Sequence, residues 1–177
     1  MKKIIKTMLI LTILIICLVI LTGCGSKQAM STSTYDSDDI EASVSLTYPD
    51  SEDYKFSTNS DDFRTTANEA ILLGPDFKIA IQIRDLSFHF DKDFNNYKGK
   101  YISEEGGKEI TVADLNGFVW YYAPYKAAVV VLPIELNPEY ALELYIYTEK
   151  DSEDEVMEVF NSDAVQDILK TVKITEK

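Results

Sequence analysis

One ten-residue stretch decides the fold class: it reads AAVVVLPIEL and runs from Ala127 to Leu136. A continuous run of small and β-branched apolar residues is typical of a central strand covered on both faces. Pro133 has no N–H for a neighbouring strand, so we expect the strand to end or bulge there. The next stretch, from Glu139 to Thr148, alternates between apolar and polar positions and predicts a second strand. These two stretches predict a sheet protein whose central strands are covered on both faces.

The patterns upstream predict more antiparallel strands. From Ser43 onward, apolar residues alternate with Ser and Thr until Pro49 turns the chain. Gly74-Pro75-Asp76 predicts a hairpin turn, and its second strand runs from Phe77 to Phe90 with a bulge near Arg84-Asp85. Asn116-Gly117 predicts another hairpin turn.

Two helical segments complete the predicted domain. Asp91 is suited to cap a short middle helix that ends at Gly99. Ser152 and Glu155 have the spacing of a capping box, and the apolar face continues after a break at Asn161-Ser162. The predicted fold class is therefore α+β: a mostly antiparallel β-sheet with a short middle helix and a C-terminal helical segment packed on it.

Composition limits the classes of protein that remain. The chain has 177 residues, with 30 Asp and Glu against 17 Lys and Arg, for a net charge of −13. A nucleic-acid-binding protein would present a basic patch, and we expect no nucleic acid as partner. The two cysteines are Cys17 and Cys24, so residues beyond 24 cannot form a disulfide.

The N-terminus has the layout of a secretory signal. Three lysines between positions 2 and 6 precede an apolar stretch from Met8 to Leu21, which leads into Leu21-Thr22-Gly23-Cys24. These four residues resemble the lipobox of bacterial lipoproteins. The resemblance implies diacylglycerol on the Cys24 thiol, cleavage between Gly23 and Cys24, and a further acyl chain such as palmitate on the new amino group. An uncleaved membrane helix over 4–22 is the alternative, but Lys6 lies inside it and its apolar part is short for a bilayer.

The chain therefore divides into three predicted parts. Residues 1–23 are the lipoprotein signal peptide, and residues 24–42 are a lipidated N-terminus with a flexible acidic tether rich in Ser, Thr and Asp. Residues 43–177 are a single α+β sheet domain. This division predicts a protein on the extracytoplasmic face of the cell membrane, anchored through lipid, and the Lys- and Ile-rich signal indicates a bacterium with one membrane.

The order of elements is similar to the PsbP-like α/β-sandwich group, which includes many short bacterial lipoproteins. The similarity covers about 44–174 and is clearest at the end, in the strand Tyr140–Leu144 and the helix Val165–Val172. It implies non-enzymatic binding or assembly and carries over no catalytic residue.

Catalytic and metal-binding patterns are poorly represented. Cys24 is expected to be acylated, and His89 is the one histidine, so neither a Cys/His pair nor a zinc site is predicted. Asp91 to Asn95 begins like a calcium loop, but Asn96 replaces the glycine and Ile102 replaces the bidentate Glu. We predict no catalytic residue, no metal site and no cofactor.

Aromatic residues form the one suggestive surface, with Trp120, Tyr121, Tyr122 and Tyr125 close in sequence. Tyr121, Tyr145 and Tyr147 occupy odd positions and are predicted to share one face as a candidate binding surface. The alternative is that the C-terminal helix covers these rings as part of the core.

The predicted function is non-enzymatic binding or assembly with an unidentified protein or envelope component outside the membrane. Two alternatives remain open at this stage. Thirty acidic residues could supply the carboxylate pair of a surface hydrolase, and the domain could also carry a small molecule or a lipid.

Overall fold

The computed structural model describes residues 28–37, 40–58, 69–87 and 92–176. The predictions for the signal peptide, for Gly23 and Cys24, and for His89 and Asp91 lie outside these residues. The end of the long strand predicted to reach Phe90 also lies outside them.

Within the described residues the chain forms ten strands, three α-helices and a 3₁₀ turn. The strands are β1 (Met30–Asp36), β2 (Ala42–Pro49), β3 (Lys55–Ser57), β4 (Glu69–Leu73), β5 (Lys78–Asp85), β6 (Lys108–Val112), β7 (Leu115–Tyr122), β8 (Ala127–Pro133), β9 (Tyr140–Tyr147) and β10 (Lys173–Glu176). The helices are α1 (Phe94–Glu104), α2 (Glu153–Phe160) and α3 (Asp163–Leu169), and the 3₁₀ turn is Ala123–Tyr125.

The strands form two antiparallel sheets. The large sheet has seven strands in the order β3-β4-β5-β9-β8-β7-β6, and the small sheet has three in the order β1-β2-β10. One face of the large sheet shares a core with the small sheet, α2 and α3. The other face packs against α1. The predicted α+β class with a mostly antiparallel sheet is confirmed.

Strands β8 and β9 explain why the large sheet needs a layer on each side. Residues 127–132 of β8 and 141–146 of β9 are all buried, so both faces of both strands are shielded from water. Alternate positions feed the two cores: Val130 packs toward the small sheet, whereas Val129 packs toward α1. β8 ends at Pro133, as its missing N–H predicted.

The C-terminal helices begin as the sequence predicted, but α3 ends at Leu169 and not at Val172. Ser152 and Glu155 form both hydrogen bonds of a capping box at the start of α2. Asn161 ends α2 and Ser162 caps α3, whose buried residues continue the apolar face. After α3 the chain forms β10, a strand that the sequence analysis did not predict, and β10 pairs with β2.

The prediction of a tether over 24–42 is wrong for β1, which lies within it. Residues 30–36 pair with β2 along its full length, and the Tyr35 ring is 7% exposed in the core. Polar contacts also cross the pair, since the Thr32 and Thr47 hydroxyls are 2.9 Å apart. In composition, the Ser and Thr residues of β1 resemble a linker. Their backbone nevertheless pairs with β2, and every second side chain of β1 lies on the exposed face of the small sheet, where apolar residues are not needed. The domain therefore begins before residue 43.

Two further predictions are wrong, namely the end of the middle helix at Gly99 and the hairpin turn at Asn116-Gly117. Tertiary contacts explain both errors. Helix α1 begins after the cap residue Asp93 and continues through Gly99 to Glu104, because its buried side chains hold it against the sheet. The hairpin between β6 and β7 turns at Ala113-Asp114, which both have positive φ, as a two-residue hairpin loop of the mirror-image type requires. Gly117 instead lies inside β7.

Gly117 and Gly99 provide a matched pair for testing this arrangement. A Cβ at Gly117 would lie 2.2 Å from the Val131 carbonyl oxygen, whereas a Cβ at Gly99 would meet nothing within 4 Å. We expect Gly117→Ala to lower the free energy of unfolding by about 2 kcal/mol or more, because the strands must separate. Gly99→Ala should raise it by about 0.5–1 kcal/mol, as in other helix interiors. Urea denaturation measures both, and equal stabilities for the two variants would contradict the structure.

Candidate binding surfaces

A buried carboxylate lies between the large sheet and α1. Glu143 on β9 is 1% exposed and is the one buried charged residue among the residues that the structure describes. The Arg84 Nε lies 2.9 Å from its Oε1, and the Tyr97 hydroxyl donates to the same oxygen at 2.6 Å. The Tyr145 hydroxyl donates to Oε2 at 2.6 Å and accepts from Arg84 Nη2 at 3.2 Å. Together these residues, which we call the Glu143 cluster, join β5, β9 and α1.

The electrostatics of the Glu143 cluster fix its protonation. Burial raises the pKa of Tyr97 and of Tyr145 far above that of a free tyrosine, and the neighbouring carboxylate raises both further. Burial alone would lower the pKa of Arg84, but the Glu143 carboxylate outweighs that effect and leaves the pKa raised. Both hydroxyls therefore stay protonated donors and the guanidinium stays charged. The cluster satisfies its own buried groups and positions α1 on the sheet.

The Glu143 cluster itself is not arranged as a hydrolase site. A glycoside hydrolase needs two carboxyl groups facing each other across a cleft. Both oxygens of Glu143 already accept hydrogen bonds from side chains of the domain. Among the described residues, no group of three or more His, Cys, Asp or Glu could hold a metal ion.

Beyond the Glu143 cluster, four rings form an aromatic row that leads from α1 into solvent. The rings are Tyr101, Trp120, Tyr122 and Tyr125, and consecutive ring centroids are 4.5, 5.0 and 5.0 Å apart. The first three are half-buried, whereas Tyr125 is 60% exposed. The row arises because alternate residues of β7 face α1 and the chain then turns through the 3₁₀ segment that ends at Tyr125.

One atom in the aromatic row stands out. The indole N–H of Trp120 is buried and makes no hydrogen bond within the structure. Native proteins rarely leave such a donor unpaired, and the cost is about 1–3 kcal/mol.

The predicted three-tyrosine surface is only partly correct. Tyr145 and Tyr147 lie on the α1 side of the large sheet and stack with ring centroids 6.0 Å apart. Tyr121 lies on the opposite face, so the three do not share one surface. The register explains the error: Tyr145 pairs with Val129, which pairs with Trp120, so odd positions of β9 match even positions of β7. Sequence alone does not give the β7–β8 register.

The covering helix also differs from the prediction. Tyr145 is 8% exposed and belongs to the core, but this face packs against α1, whereas the C-terminal helices pack on the other face. Tyr147 is half-buried at the edge of the covered region. Arg84 was named only as the place of a predicted bulge and Glu143 was given no role, although a Glu between two leucines in a central strand was a detectable indication.

A cavity of about 990 Å³ opens at one end of the large sheet. It lies between the β4–β5 turn, the end of β9 and helix α2. Its lining mixes apolar side chains such as Leu73 with carboxylates such as Asp76 and Glu158 and with the ammonium groups of Lys78 and Lys150. This end also carries the exposed part of the aromatic row, because Lys78, Tyr147, Ala127 and Tyr122 pair in register across four strands.

Comparisons with known proteins provide no relative to guide the interpretation: no family model, no curated protein and no solved structure matches this chain. In the part of the chain that the structure describes, no helix is long and apolar enough to cross a membrane.

The Glu143 cluster can be tested by removing one hydroxyl. Tyr145→Phe keeps the ring but leaves Glu143 Oε2 without its tyrosine donor in a buried site, so we expect a loss of about 1–3 kcal/mol in unfolding free energy. Tyr125→Phe removes an exposed hydroxyl and should change stability by less than about 0.5 kcal/mol. Denaturant melts compare the two variants with the parent protein. A Tyr145→Phe protein as stable as the parent would mean that the hydrogen bond from Tyr145 to Glu143 does not stabilise the domain.

Proposed function

We propose that this chain is a bacterial lipoprotein, anchored through lipid on Cys24 at the extracytoplasmic face of the cell membrane, whose domain binds a protein or envelope component without catalysis. The observation that carries the anchor is the run from Met8 to Leu21 that leads into Leu21-Thr22-Gly23-Cys24. Two or three acyl chains give stable anchoring, because each buried methylene contributes about 0.8 kcal/mol. The Lys- and Ile-rich signal further suggests a one-membrane host. The finer fold proposal is a PsbP-like sandwich, which a mostly antiparallel sheet covered on both faces supports.

The aromatic row supports the binding role. Tyrosine and tryptophan are enriched at protein interfaces, since each combines an apolar ring with a polar tip. Tyr125 at the end of the row is 60% exposed, and the Tyr122 ring beside it is half-buried. The row is therefore the surface that we assign to the partner.

The cavity favours a second candidate function, the carrier of a small molecule or lipid. Its volume of about 990 Å³ falls at the upper end of the usual range for ligand pockets. A molecule that stays bound to the purified domain, as detected by native mass spectrometry, would favour this function. Loss of that molecule on Lys78→Glu, with retention on Lys173→Glu in the edge strand β10, which does not line the cavity, would locate it there.

The anchor has a direct test. Cys24→Ser removes the thiol that would carry diacylglycerol, so we expect no incorporation of a palmitate analogue and no cleavage at Gly23-Cys24. Metabolic labelling in the bacterial host measures incorporation, and the mass of the N-terminal peptide measures cleavage. Thr22→Ser keeps a small residue and serves as the control, and it should label normally. Label that persisted on Cys24→Ser would refute the anchor.

The partner surface has a separate test. We expect Tyr125→Ala to lower the yield of a cross-linked partner from intact cells by at least about tenfold, as truncation of an interface tyrosine does. Leu136→Ala is the matched control, since Leu136 is 74% exposed and lies at the opposite end of β8. Equal losses for both variants, or none for Tyr125→Ala, would remove the aromatic row from the proposal.

A further inference from the structure

Only a short length of chain separates the proposed lipid from the fold. β1 begins at Met30, and five residues lie between Met30 and Cys24. Fully extended, that length of chain spans about 20 Å. The Ala29 carbonyl already accepts a hydrogen bond from the Asp50 amide, so the fold holds the chain even before β1. The position of Met30 on the domain therefore decides which side of it lies near the anchor.

Met30 lies at the same end of the molecule as the cavity. It pairs with Pro49 at the end of β2. The neighbouring Tyr48 ring stacks on Tyr54 with centroids 6.2 Å apart, and Tyr54 contacts Phe77 in the β4–β5 turn at 6.3 Å. This turn lines the cavity. We call this end, with Met30, the β4–β5 turn and the β7–β8 turn, the anchor end.

At the opposite end of the domain, β10 of the small sheet contacts the β8–β9 loop of the large sheet. Glu176 in β10 pairs with Ala42, where β2 begins. Its Oε2 accepts hydrogen bonds from the Leu136 amide at 2.9 Å and from Asn137 Nδ2 at 3.1 Å. The eight residues of β9 span about 25 Å between the two ends. We call this second end, with the β8–β9 loop and Leu136, the distal end.

We propose that the anchor end faces the lipid headgroups of the membrane and that the distal end faces away. This inference rests on the proposed lipid anchor at Cys24. To bring the distal end to the membrane, the chain before Met30 would have to run back along about 25 Å of strand as well as cross the domain's width. The available chain, about 20 Å at full extension, is too short.

The charges at the anchor end determine how closely it approaches. Asp50, Glu52 and Asp53 form the exposed turn beside Met30. Anionic lipid repels such a turn over a Debye length of about 8 Å at physiological salt. The short connection holds the anchor end close to the headgroups, and the acidic turn beside Met30 opposes direct adsorption there. The cavity lies at this end, so a ligand bound in it would be close to the headgroups.

Energy transfer on vesicles tests the orientation. The full lipidated protein carries a donor dye at Tyr125→Cys or at Leu136→Cys, and the vesicles carry an acceptor on their headgroups. Each label is the one free thiol, because lipid occupies the Cys24 sulfur and Cys17 leaves with the signal peptide. Both positions are exposed, at 60% and 74%, so neither change should disturb the fold. We expect transfer at position 125 to exceed transfer at position 136 by at least about twofold, given the ends' separation.

A longer connection provides the control. Inserting about 20 Gly and Ser residues after Ser26 gives the domain room to turn, so the difference between the two labels should disappear. Equal transfer at both positions in the parent protein, or greater transfer at position 136, would overturn the proposed orientation. Failure of the anchor itself gives a distinct result, because neither labelled protein would then float with the vesicles.

Discussion

The structure depends on the burial of both faces of β8 and β9. Two adjacent strands with no water on either side require two separate covering layers, and the small sheet with α2 and α3 can supply only one. Helix α1 supplies the other. The single charged group in these strands, Glu143, then needs donors from outside β9, and Arg84 on β5 and Tyr97 on α1 provide them. A charge in the centre of the sheet thus specifies where α1 must lie.

Local patterns predicted those parts of the fold that local physics controls. The apolar run from Ala127, the stop at Pro133 and the capping box at Ser152 each depend on a few neighbouring residues. The errors came from positions that distant contacts control. Gly117 resembles a turn residue, but it is needed because the Val131 carbonyl approaches it across the sheet. β1 resembles a linker because its side chains are polar, and only its backbone pairing identifies it as a strand.

The candidate site was predictable only in outline. The density of aromatic residues near Trp120 pointed to the correct region, but the assignment of rings to faces depends on register, which the turn at Ala123–Tyr125 sets. The sequence shows which residues of one strand share a face. It does not show which residues of a neighbouring strand lie on that same face, because this depends on the register. This is why Tyr121 was grouped with the wrong rings. The Glu143 cluster joins residues from three elements far apart in the chain, and no spacing rule brings them together.

The direction of β1 has a mechanical consequence. A pull on the chain before Met30, directed out of that end of the domain, acts along the axis of β1. The backbone hydrogen bonds between β1 and β2 are perpendicular to this axis. The pull therefore shears all of them at the same time, and they share the load. A pull from the Asp36 side, across the sheet, would instead open the pairs one after another. The strand that most resembles a linker is therefore oriented to resist extraction from the fold by force on its own N-terminal end.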